Sequence, residues 1–180
     1  YLTLNETDEA SSVILKAISI NPDPDFEETK DLVYSILRLN NADAAYQLVL
    51  KLEESIGSHP CYPILLSDVQ VANQEFIPAL ENLSEFLQKI EFASDEDCFS
   101  SQSFEKGNQD FAPYNKSGFY YRLAQIERVT GDLLAAQKHA DQAQKEDPNC
   151  RRTILLQAGL ALSLQNNQKL ESVLDYLNPE

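Results

Sequence analysis

The sequence predicts an all-α fold, a solenoid of antiparallel helical hairpins, on three observations. Small or apolar side chains recur in steps of 34 residues, turn and stop signals recur in phase with them, and no stretch shows the period-two alternation of a strand. Ala45 and Ala79 stand one step apart, as do Ala136 and Leu170, and one step back from Ala45 lies Ser11. The choice of alanine matters. It forms helix well but adds little apolar area, about one methyl group against roughly 1.5–3 kcal/mol for a buried Leu. Ala124, Ala135, Ala136, Ala140 and Ala143 therefore read as positions where helix backbones must come close.

The elements follow in chain order. Residues 1–25 read as the second helix of a truncated repeat, with Ser11, Leu15 and Ile18 on its buried side, stopped by "NPDPD". Residues 26–93 hold two hairpins: Leu32 and Leu66 occupy matching first-helix positions, Ala45 is followed by Val49 and Leu52, and Ala79 by Leu83 and Phe86. "LNNAD" at 39–43 is the turn within the first pair. The step from Ala79 to Ala136 is 57 residues, one period plus 23, so 94–116 is an insertion, part of a polar, Ser-rich run that begins near residue 91. A solenoid tolerates such a loop, because each doubling of length costs only about 0.6 kcal/mol. It reads first as a solvated linker, with a lid or docking segment as the alternative. Residues 117–180 hold two more hairpins, and the whole is expected to form one continuous solenoid.

The clearest unit places Tyr120, Leu123 and Ala124 on a first helix, "TGD" at 130–132 in the turn, Ala136, Ala140 and Ala143 on the second, and "EDPN" before Cys150. Its successor carries Ile154, Ala158 and Ala161, then Leu170, Leu174 and Leu177. This spacing resembles the tetratricopeptide repeat, with Glu127 where that pattern has Tyr and Ala140 where it has Phe. The resemblance implies a right-handed superhelix whose first helices line a concave groove that binds partner proteins or peptides without catalysis. A subgroup of that family clamps acidic C-termini with a Lys and two Asn. Lys30 matches the Lys, but Tyr34 replaces the first Asn, so that clamp is not expected. "FYYRLA" at 119–124 and "CRRTILLQA" at 150–158 also resemble the lipopolysaccharide assembly protein B family, bacterial inner-membrane adaptors. That resemblance implies repeats facing the cytoplasm, although the anchor and Cys-rich domain of the family are not in this chain.

Composition narrows the function. A net charge of −15 repels a phosphate backbone, so nucleic acid is not an expected partner. Cys61, Cys98 and Cys150 are odd in number and form no CxxC pair, which points to a reducing, cytoplasmic setting and to no thiolate metal site. The longest apolar run, Ile154 to Leu164, is far short of the roughly 20 residues of a membrane span, so no membrane insertion is expected. A chain without Met that opens at Tyr1 reads as a segment of a longer protein. No phosphate-cradling loop is written among five glycines, His59 and His139 lack metal-ligand spacing, and "SDEDC" at 94–98 lacks a calcium-loop pattern. Sequons at Asn5, Asn82 and Asn115 are discounted as chance matches. Neither catalysis nor a cofactor is expected.

One asymmetry points to a partner. Arg38, Arg122, Arg128, Arg151 and Arg152, all the arginines, fall on predicted first helices, and arginine suits bidentate capture of carboxylates. Tyr34 lies near Lys30 and Arg38, and Tyr121 near Gln125 and Arg128. The expected partner-binding set is Lys30, Tyr34, Arg38, Tyr121, Arg122, Gln125, Arg128 and Arg152, with ion pairs to neighbouring acids and buried tyrosines as the structural alternative. The reading is a non-enzymatic adaptor for a protein or peptide. Its rivals are a helical shell around an enzyme site, which needs a pocket of convergent ionisable groups, and self-assembly through open repeat ends.

Overall fold

The computed structural model describes residues 12, 13, 16, 24–92 and 114–177, and among these every regular element is an α-helix. The chain divides into two compact units, Tyr1–Phe86 and Leu87–Glu180. The first contains α1 (Phe26–Arg38), α2 (Ala42–Lys51), the single turn α3 (Glu53–Ile56), α4 (Tyr62–Ala72) and the start of α5 (Phe76–Phe92). The second contains α6 (Lys116–Thr130), α7 (Leu133–Glu146), α8 (Arg151–Ser163) and α9 (Asn167–Leu177).

Within the second unit α6 packs on α7, α7 on α8 and α8 on α9, while α6 also touches α8. Each first helix thus meets its own second helix and the next first helix, the contact scheme of a tetratricopeptide-type helical repeat. In the first unit α1, α2 and α4 meet one another in the same way.

The 34-residue step is visible in the backbone itself. Left-handed residues occur at Asn40 (φ 56°) and Gln74 (φ 64°), and again at Gly131 (φ 94°) and Gln165 (φ 54°), each pair one step apart. The next amide closes each turn onto the helix just ended: Asn41 to the Ile36 carbonyl, Glu75 to Gln70, Asp132 to Glu127 and Asn166 to Ala161. These are Schellman-type ends, in which a left-handed residue lets orphan carbonyls find donors. Side-chain caps start the following helices, Asn41 accepting from the Ala44 amide at 3.1 Å and Asp132 from Ala135 at 3.0 Å.

The stop signals hold with one exception. Asp25 caps α1 through a capping box with Glu28. Before α8, however, the cap position is Cys150, which makes no side-chain cap bond, and the Asp147 carboxylate instead accepts from the Asn149 amide. Cys61 likewise stands at the start of α4, and neither cysteine is in a disulfide among the described residues. Most of the expected helix in 1–25 and most of the insertion lie outside the described residues, as do Cys98, Asn5 and the "SDEDC" run. The edges of the insertion are helical: α5 runs through Phe92, and Asn115 caps α6 by accepting from the Gly118 amide. Asn82 donates to the Pro63 carbonyl at 2.7 Å, so both described sequon asparagines have structural roles.

Packing explains the alanines. Ala45, Ala79, Ala124, Ala136, Ala140 and Ala143 are fully buried, whereas Leu134 on α7 is 76% exposed. In the second unit Ala124, Ala136 and Ala140 share a cluster with Leu156 and Leu160, so small side chains sit where three helices meet. Ala135 is only half-buried. On α9 the expected phase is off by one: Val173 is buried and Leu174 is 43% exposed. The Asp141 carboxylate on α7 gathers Gln137, Gln157 of α8 and Lys169 of α9 at 3.0, 2.7 and 2.9 Å, binding three helices together.

Two predictions follow from this packing. Ala136→Leu should overfill the crossing and lower stability by about 1–3 kcal/mol in urea unfolding, whereas Leu134→Ala should stay within about 0.5 kcal/mol. Burial and the neighbouring Glu53 carboxylate push the Tyr62 phenol up to about 12 from 10.0. The folded chain then holds this proton more tightly than the unfolded chain. Stability from this group is therefore intact below pH 10 and is lost progressively as pH rises to about 12. Urea midpoints across that window should fall less steeply for Tyr62→Phe than for the unaltered chain.

Candidate functional site

At about 100° per residue, Tyr121, Gln125 and Arg128 share one stripe of α6. Adding one 34-residue step gives Leu155, Gly159 and Leu162 on α8, and Arg152 stands one step from Gly118. Three observations join the stripes. A Cβ placed on Gly159 would lie 3.5 Å from the Arg128 Nη1 atom. Arg152 and Arg128 both act electrostatically on the Tyr121 hydroxyl. Tyr121 itself packs on the cluster formed by Ala124, Ala136, Leu156 and Leu160.

Burial pushes the Tyr121 phenol above its ordinary range, against the pull of Arg152 and Arg128. Gln125 donates from Nε2 to the Tyr121 hydroxyl at 2.8 Å, which orients the phenol. Arg128 is exposed, Arg152 is half-buried, and neither forms an ion pair with a described residue. Leu155 and Leu162 are 52% and 63% exposed. This face offers two cationic forks, a hydroxyl and apolar surface, the mixture from which protein interfaces draw their strongest contacts.

The other expected residues are placed differently. Arg122 is only 4% exposed; it donates to the Gly118 carbonyl at 3.2 Å and lies over the Tyr114 ring at 5.1 Å. It is an internal residue because its position turns it off the Tyr121 stripe. Tyr34 is also buried, donating to the Asp68 carboxylate at 2.6 Å, one repeat step away. That is the buried, satisfied tyrosine of the structural alternative. Lys30 pairs with Glu27 on its own helix, and Arg38 is exposed at the end of α1. Tyr121, Gln125, Arg128 and Arg152 come together; Lys30, Tyr34 and Arg38 belong to the other unit.

The histidines sit at boundaries. His59 stacks on Phe26 with ring centroids 3.8 Å apart, and its Nδ1 accepts from the Cys61 amide. Burial lowers its pKa, Glu27 opposing and Lys30 reinforcing the shift. His139 approaches both oxygens of the buried Glu127 carboxylate at 2.9 and 2.8 Å and stacks near Tyr120. Sequence reasoning missed this clasp between α6 and α7. Its one signal was Glu127, a carboxylate at a position where the repeat pattern puts an aromatic residue.

Among the described residues no His, Cys, Asp and Glu side chains group to hold a metal ion, and no helix is long and apolar enough to cross a membrane. Stacked hairpins of this kind form a helical-repeat architecture. Residues 1–24 match the family model of the tetratricopeptide repeat, and the repeating hairpins of the described residues have the contact scheme of that type of helical repeat. No curated protein matches the chain. Tetratricopeptide repeats generally mediate protein–protein interactions, and the family is typically non-catalytic.

The two arginines separate burial from exposure in one experiment. Arg122→Glu should destabilise the chain by about 3 kcal/mol or more in urea unfolding, through a buried charge without its partners, while Arg128→Glu should change stability by at most about 0.5 kcal/mol.

Proposed function

We propose that this protein is a non-catalytic adaptor that docks a partner protein or peptide on the first-helix face of its second unit. The observation that supports the reading most is the pairing of Arg128 and Arg152, both without an ion pair among the described residues, beside an oriented Tyr121 in a chain of charge −15. Arginines in so acidic a chain have carboxylates to choose from within it; two that take none among the described residues, on one face, suit an incoming acidic or polar group. The lipopolysaccharide-regulating adaptor family remains the particular form suggested by "FYYRLA" and "CRRTILLQA", since both motifs lie on the helices of this face. A second reading, self-association, draws on Leu174 and Tyr176, which α9 leaves 43% and 56% exposed.

Affinity capture with the full chain tests the docking face. Arg128→Glu combined with Arg152→Glu should abolish capture of the proteins retained by the unaltered chain while leaving the melting temperature within a few degrees. Undiminished capture by the double variant would remove the face from the function, and a mass that rises with concentration in light scattering would favour self-association.

A further inference from the structure

Two first helices of the first unit are joined at their starts by a histidine. His59 stands in the turn before α4, and its ring lies flat on Phe26, the first residue of α1, with centroids 3.8 Å apart and planes 8° from parallel. Phe26 is buried and His59 half-buried, so the contact is internal while the imidazole is still reached by water.

The same ring also serves the backbone, since its Nδ1 accepts from the Cys61 amide at 3.2 Å. Helix starts need acceptors, because first-turn amides have no partner within the helix. The start of α4 is poor in them: Cys61 at the cap position makes no side-chain cap bond and the first turn holds no carboxylate, whereas α1 has Glu27, Glu28 and the Asp25 capping box. The Tyr62 amide donates to the His59 carbonyl, and Pro63 has no amide to place. His59 therefore does for α4 what Asp25 does for α1, with an imidazole in place of a carboxylate.

An imidazole, unlike a carboxylate, accepts here in one protonation state only. An accepting Nδ1 is unprotonated, which puts the ring hydrogen on Nε2. The imidazolium carries hydrogen on both nitrogens, so no orientation of the charged ring offers the amide an acceptor. The positive end of α4 also opposes a cation at this place. Among the described residues, Glu27, Lys30 and Asp25 act on the ring from α1 and its cap. Cys61 and Tyr62 are the titratable groups at the start of α4, and Glu53 and Glu54 are those of α3. Burial is the largest influence and, with Lys30, holds the ring below its ordinary 6.5 against the two carboxylates.

We propose that His59 is a pH-responsive cap: the neutral ring holds the start of α4 to the start of α1, and protonation releases both. The unfolded chain takes up this proton near pH 6.5, the folded chain only at lower pH. The stabilisation is therefore complete above pH 6.5 and is lost as pH falls through the folded value. Tyr121, Gln125, Arg128 and Arg152 take no part, so the device is independent of the docking face.

Nitrogen-15 NMR of the full chain, with the His59 ring assigned through its bonds to the backbone, tests the inference. At about pH 7.5 the ring should carry its hydrogen on Nε2, and it should titrate below 6.5. Over the same interval the amides at the start of α4 should lose about fivefold or more of their protection from hydrogen exchange, after correction for the intrinsic pH dependence of exchange. In His59→Asn the side-chain carbonyl can accept from the amide two residues on and carries no titrating proton, so protection there should no longer follow pH. A ring with its hydrogen on Nδ1 at neutral pH, or α4 amides indifferent to the ring's titration, would overturn the proposal. So would a His59→Asn chain whose α4 keeps the pH response of the unaltered chain. The ring and amide measurements on the unaltered chain decide the matter even where the variant does not fold.

Discussion

The close crossing of α6, α7 and α8 is the constraint on which the second unit depends. Ala124, Ala136 and Ala140 have no exposed surface, and they meet Leu156 and Leu160 from the following helix. Such residues permit helix axes to approach at the short end of the usual 8–10 Å range. The hydrophobic contribution per residue is small, so stability must come from continuous contact and from bonds that cross the helices. Gln157 and Lys169 converging on Asp141, Ser117 donating to the Ala143 carbonyl, and the Glu127–His139 clasp supply those bonds. A larger side chain at any of the three alanines would move a helix and weaken them together.

That crossing also assigns each side of α6 its role. One side is committed to α7 and includes Ala124 and Glu127; the stripe of Tyr121, Gln125 and Arg128 is turned toward α8's own stripe and remains available at its outer edge. Repetition by 34 residues then sets side chains of different chemistry at equivalent places, Gln125 against Gly159 and Arg128 against Leu162. A repeat architecture in this way fixes positions while leaving the chemistry at each position open, and the exposed face can be specialised without disturbing the core. The first unit uses its first-helix tyrosine differently. Tyr34 is turned into a bond with Asp68, which joins two neighbouring first helices rather than offering a surface.

Much of the fold was legible because it depends on local chemistry repeated at a fixed interval. The alanines, the turn at Gly131 and the caps at Asp25, Asn41 and Asp132 each have a mechanism confined to a few residues. The site was legible only in part, because a residue's side on a helix depends on small rotational differences. Arg122 follows Tyr121 immediately yet lies buried over Tyr114, and on α9 Val173 rather than Leu174 points inward. The Glu127–His139 clasp spans a turn and joins residues that no local motif connects. Nor does sequence distinguish a tyrosine that binds a partner from one satisfied by a carboxylate one repeat away, as Tyr34 is.

Hydrogen–deuterium exchange on the full chain tests the crossing most directly. An isolated helix as rich in alanine and as short as α7 is marginal in water and would exchange rapidly. If the stacked crossing holds it, amides in the interior of α7 should be protected to the same degree as those of α6 and α8 and should open with them as one cooperative unit. Fast exchange throughout α7 while α6 and α8 stay protected would contradict the account.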